Sequence, residues 1–78
     1  MDPKIVGERV KILMKLQRIS EEEMAEKMNL RLNELIDLLD GKNEFNLSQM
    51  KRLKDILGLD VKASDELFFG DEFNAVVK

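Results

Sequence analysis

The stretch SEEEMAEKMNLRLNELIDLLDG, residues 20–41, decides the fold. It opens with Ser20-Glu21-Glu22-Glu23, a capping box. The Ser20 hydroxyl can accept from the Glu23 amide while the Glu23 carboxylate reaches back to the Ser20 amide. Three acids in that first turn also suit the positive end of a helix dipole. Met24, Ala25 and Met28 then recur on one side, which predicts a buried face. Asn29 follows, a residue that tolerates the left-handed conformation at a helix end. A second helix is expected over roughly 31–40, stopped by Gly41.

Two short helices joined by a turn of three or four residues have the geometry of a helix-turn-helix. A steep crossing needs a small residue at the contact, and Ala25 is placed for it. Leu35 is the apolar anchor of the second helix against the first. In helical projection Leu32, Leu35, Ile36, Leu38 and Leu39 span an arc of about 160°. That is wider than the core of a small bundle requires, so Leu32, Ile36 and Leu39 form either an exposed apolar patch for a partner or second subunit, or an extension of the core covered by the tail at Phe73–Val77. The opposite arc holds Asn33, Glu34, Asp37 and Asp40, an acidic face.

The flanking segments read as further helices. Asp2 and Pro3 suit an N-cap and first helical position, and Val6, Val10, Leu13 and Leu16 carry a stripe through about Gln17. Ile5, Ile12 and Met14 lie off that stripe and are expected at the surface or in an interface. After a loop over Lys42–Phe45, Asn46 or Ser48 can cap a helix bearing Leu47, Met50, Leu53, Ile56 and Leu57, ended by Gly58. Ser64-Asp65-Glu66 is expected to start a short last helix through about Phe69. Phe68, Phe69 and Phe73 are expected to clamp the core or form a dimer contact. The expected organisation is one all-α domain over 1–70, a compact bundle of four to five short helices with a central helix-turn-helix, followed by a tail over 71–78 that belongs to a dimer contact, a strand or a frayed end.

The chain has 78 residues with no Cys and no His, which leaves no disulfide and no Cys/His zinc site. A domain this small buries only about two-thirds of its unfolded surface, so self-association into a dimer is expected. The usual general bases and thiol nucleophiles are missing, and no phosphate loop or EF-hand spacing appears, so neither an enzyme nor a cofactor is expected. No apolar run reaches the roughly 18 residues that cross a bilayer, and Met1-Asp2-Pro3-Lys4 has no signal-peptide character; no membrane association and a cytoplasmic location are expected.

The net charge of −3 hides a block pattern. Residues 4–18 hold Lys4, Arg9, Lys11, Lys15 and Arg18 against Glu8, and residues 42–54 hold Lys42, Lys51, Arg52 and Lys54 against Glu44. Between them, Glu21, Glu22, Glu23, Glu26, Glu34, Asp37 and Asp40 face only Lys27 and Arg31.

The segments VGERVKIL (6–13), ISEEEMAEKMNL (19–30), Asp40-Gly41-Lys42, LSQMKRLKDILGL (47–59) and DELFFGDE (65–72) come in one order. In that order and spacing the chain resembles the lambda-repressor/Cro-like, XRE-type helix-turn-helix family over about residues 5–70, apart from some three extra residues near Lys62-Ala63-Ser64. The resemblance implies a second motif helix that enters the major groove of double-stranded DNA. It places Arg31, Leu32, Asn33, Ile36 and Asp37 toward the groove, with Lys42 and Asn43 near phosphate. Several positions depart from the family pattern. Glu21 stands where a phosphate-contacting Gln is common, Arg31 replaces a hydroxyl cap, and Leu32, Ile36, Asp37 and Leu39 replace more hydrophilic, basic or amide residues.

Two functions follow as expectations. One is a dimeric DNA-binding transcriptional regulator, in which Arg31 can fork onto guanine and Asn33 onto adenine. The other is a helix-turn-helix reused for protein contact, as in an antirepressor, antitoxin-like or regulatory module, through Leu32, Ile36, Leu39 and Phe73. A purely structural domain has no positive support in the sequence.

Overall fold

Capping side chains set where the helices begin. In the computed structural model, described over residues 2–73, α1 spans Pro3–Leu16, α2 Glu21–Met28, α3 Leu32–Leu39, α4 Leu47–Leu57 and α5 Val61–Phe69. The architecture is an all-α bundle, and the described residues contain no strand. The tail expected over 71–78 is described only to Phe73, and 74–78 lie outside the described residues.

The Asp2 carboxylate accepts from the Lys4 amide at 2.9 Å, and Ser20 Oγ accepts from the Glu23 amide at 3.0 Å. The expected return bond from Glu23 to the Ser20 amide is not made among the described residues. Asn46 and Gln49 do complete a reciprocal box at 2.8 and 2.9 Å, so Asn46 rather than Ser48 caps α4. α5 starts earlier than Ser64, because Asp60 Oδ1 accepts from the Ala63 amide at 2.7 Å. Lys62, Ala63 and Ser64 thus belong to its first turn. α3 is one residue shorter at each end than expected, with Arg31 and Asp40 as its caps.

Four helices end alike. Arg18 (φ 58°), Asn29 (φ 57°), Gly41 (φ 78°) and Gly58 (φ 67°) turn left-handed after α1 to α4. Each lets the next amide reach back into the last turn: Ile19 to Met14, Leu30 to Ala25, Lys42 to Asp37 and Leu59 to Lys54, all at 2.9 Å. α5 ends differently. Gly70 is extended, and the guanidinium of Arg9 in α1 occupies the helix end. Arg9 Nη1 donates to the carbonyls of Glu66 (2.9 Å), Leu67 (3.3 Å) and Gly70 (2.8 Å), and Nη2 donates to that of Asp71 (3.5 Å). The same guanidinium lies 5.5 Å from the centre of the Phe73 ring. A cation at the negative end of a helix also satisfies its dipole.

The core draws on every helix. Val10, Met24, Leu35, Leu39, Leu53 and Leu67 are fully enclosed, and Phe45 from the loop before α4 packs edge-on to Phe68. α1 lies against α3 and α5, and α2 against α3 and α4. The closest approach is at Gly7, where a Cβ would fall on the Leu39 carbonyl oxygen. A second tight point is Gly41, where a Cβ would sit 2.5 Å from Lys4 Cα. The end of α3 is therefore clasped by the backbone of α1.

Several burial expectations are corrected. Met14 is buried, because its α1 face turns toward the core beside Leu13. Leu16 and Leu47 are exposed, since each sits at a helix end where the stripe has run past its neighbour. Phe69 is 65% exposed and does not clamp the core. Leu39 is 1% exposed and is a core residue, not part of a surface patch.

Candidate functional site

The α2–turn–α3 unit is held from within. Met24, Ala25 and Met28 bury one side of α2, and Leu35, Leu38 and Leu39 bury the inner side of α3. Asn29, Leu30 and Arg31 make the turn, and Leu30 packs against the core. Arg31 caps α3 with its backbone: its amide donates to the Glu34 carboxylate at 3.1 Å. The Arg31 side chain makes no cap bond and stays exposed.

The first turn of α3 is thereby presented outward. Arg31, Asn33 and Glu34 are exposed, and Leu32 is 39% exposed. Ile36 and Asp37 are half-buried. Lys42 and Asn43 are exposed in the connection that follows. Five of the seven candidate reading or phosphate-contacting positions are thus exposed, at the start of α3 and in the turn after it, with Ile36 and Asp37 half-buried between them.

The expected acidic face is not bare. Lys42 Nζ lies 3.8 Å from Asp37 Oδ1, and Lys11 Nζ lies 3.1 Å from Asp40 Oδ1. One lysine comes from the turn after α3 and the other crosses from α1. All four side chains remain substantially solvated, and exposed pairs of this kind contribute little to stability. Their effect is local: each sets a lysine beside one acid of the ridge, while the Glu34 carboxylate accepts only from the Arg31 amide.

The expected interface residues separate. Leu32 and Ile36 remain neighbours one turn apart on the outer flank, while Leu39 lies inside. Phe73 is half-buried and packs on the core of its own chain beneath Arg9. Arg9, counted with the basic first segment, is buried and engaged with backbone carbonyls, so it adds nothing to surface charge recognition. Lys4, Lys15, Lys51 and Arg52 are exposed. No local signal marked Arg9 or Lys11, because their partners are distant in sequence.

An apolar cavity of about 130 Å³ opens between the start of α1, the loop at Phe45, Met50 of α4 and Phe68 and Phe69 of α5, with Glu44 at its edge. Among the described residues no group of three or more acidic side chains is arranged to hold a metal ion, and no helix is long and apolar enough to cross a membrane. No family model, no curated protein and no solved structure matches this chain.

Proposed function

We propose that this chain is a DNA-binding transcriptional regulator of the XRE helix-turn-helix type, cytoplasmic and dimeric, with α3 as its recognition helix. One observation carries the reading: the first turn of α3 presents Arg31 and Asn33 to solvent on a helix whose opposite face is anchored by Leu35. These are the side-chain types that fork onto guanine and adenine edges. The reading assigns no catalytic role to any residue.

Titration of duplex DNA at about 50 mM and about 200 mM salt tests it. Six phosphate contacts would lower affinity roughly 10³-fold over that range. Amide shifts in a parallel NMR titration should cluster over residues 31–43. No binding at the lower salt, with operator-length mixed-sequence duplexes, ends the proposal.

A second reading, a protein-docking surface, is favoured by Leu32 standing exposed next to Ile36. The burial of Leu39 narrows that patch. Arg31→Ala/Asn33→Ala distinguishes the two: it should lower affinity for a specific duplex by about ten-fold or more under the first and leave association through Leu32 and Ile36 intact under the second.

A further inference from the structure

We infer that Asp37 and Asp40 are exchangeable counter-ions, which hold Lys42 and Lys11 against α3 and release them to DNA phosphates when a duplex docks. The inference rests on the DNA-binding reading and adds to it a built-in restraint on affinity.

The placement supports an exchange. Asp37 and Asp40 lie on the ridge of α3 opposite Leu35, on the same side as Asn33. Each meets one lysine anchored on a different element, Lys42 in the turn after α3 and Lys11 on α1. Asp37 and Asp40 are three residues apart on one face, so the two ammonium groups lie along the same ridge as Asn33 and would meet the phosphate strand nearest that ridge. Both pairs are exposed: Lys42 is 70% and Asp37 41% accessible, and Lys11 and Asp40 are similar at 46% and 43%. The 3.8 Å separation at Lys42 is long for a charge-assisted hydrogen bond. A buried pair would be held too firmly to exchange, and a solvated one is weak.

An acid beside each phosphate-facing lysine has a definite effect. Docking must first break the lysine–aspartate contact, and the aspartate left behind repels the backbone. Affinity for any duplex falls, while base contacts through Arg31 and Asn33 are untouched. The restraint thus acts on the sequence-independent part of binding.

The test measures affinity and salt slope for a duplex of random sequence. Asp37→Asn/Asp40→Asn should bind roughly five- to ten-fold more tightly at about 50 mM salt, from two exposed pairs of ordinary strength. Asp55→Asn/Asp65→Asn is the control; it removes the same charge from exposed positions on α4 and α5. Lys11→Met/Lys42→Met should flatten the log–log salt dependence of the wild-type chain by about two, close to 0.9 per lost phosphate contact. A gain no larger than the control's, or an unchanged slope, overturns the exchange and leaves the DNA reading intact. Binding by neither the wild-type chain nor Asp37→Asn/Asp40→Asn overturns both. Binding by that variant alone ends the DNA-binding reading of the wild-type chain and, with it, the exchange.

Discussion

Gly7 is where helix propensity and packing pull in opposite directions. It lies mid-helix in α1, so on propensity alone Gly7→Ala should stabilise the chain by about 1 kcal/mol. The new Cβ, however, would fall on the Leu39 carbonyl oxygen, with Leu39 C at 2.8 Å and the Leu38 oxygen at 3.0 Å. All three are backbone atoms, so no rotamer change relieves the overlap. α1 and α3 must move apart, and the contacts between Val10, Leu35 and Leu39 loosen with them. Overpacking of this kind costs about 1–3 kcal/mol, and the near-coincidence with a carbonyl puts it at the upper end. The net expectation is a loss of about 1–2 kcal/mol, or a fall in Tm of roughly 5–15 °C for a domain of this size. Urea melts followed by far-UV circular dichroism measure it. Gly58→Ala is the comparison: nothing lies within 4 Å of its Cβ, so its loss of about 1 kcal/mol comes from the left-handed backbone alone. Leu39→Ala should not rescue Gly7→Ala, since the clash is with main chain. A Gly7→Ala protein as stable as wild type, or more so, refutes the close approach of α1 to α3.

Further expectations follow from the same geometry at Arg9, Arg18, Leu39 and Leu32. Arg9→Met should destabilise by about 2–3 kcal/mol by stranding carbonyls at the end of α5, with hydrogen exchange rising first at Gly70, whose amide donates to Glu66; Arg9→Lys, without the fork, should recover only part of this. Arg18→Gly should stabilise by about 0.5–1 kcal/mol in the same melts, because Arg18 holds a left-handed φ of 58° that Gly adopts without steric strain. Leu39→Ala should cost about 2–5 kcal/mol and Leu32→Ala under about 1, a contrast in denaturation midpoint that separates core from surface on one helix.

Local chemistry made much of the bundle legible. Ser20, Asn29, Gly41 and Gly58 announce helix ends because caps and left-handed turns act over two to five residues. Asp60 acts by the same rule, but Ser64-Asp65-Glu66 offers a competing start one turn later. Periodicity was weaker at element ends. Leu16 and Leu47 keep the phase of their stripes yet have no neighbour to cover them, whereas Met14, off the stripe, does. Nothing local marked Phe45, a loop residue whose partner Phe68 lies 23 positions on, or Gly7, whose role depends on a carbonyl in α3. The candidate site divides along the same line. The exposed first turn of α3 follows from the cap at Arg31 and the anchor at Leu35. The lysine partners of Asp37 and Asp40 differ in legibility: Lys42 is five residues from Asp37, but Lys11 is brought to Asp40 only by the packing of α1 on α3.

The Arg9 contacts also impose an order in time. Its carbonyl partners stand 57 to 62 residues further along the chain. At a synthesis rate of about 5–20 residues per second, Asp71 emerges roughly 3–12 s after Arg9. Through that interval the guanidinium lacks its folded-state carbonyl partners, and α1 lacks one of the two helices it lies against. The nascent chain can form α2, α3 and their turn early, but the bundle closes only when the last helix reaches the first. Translation pauses late in the message should therefore prolong an open state, while pauses earlier should leave the closing step unchanged.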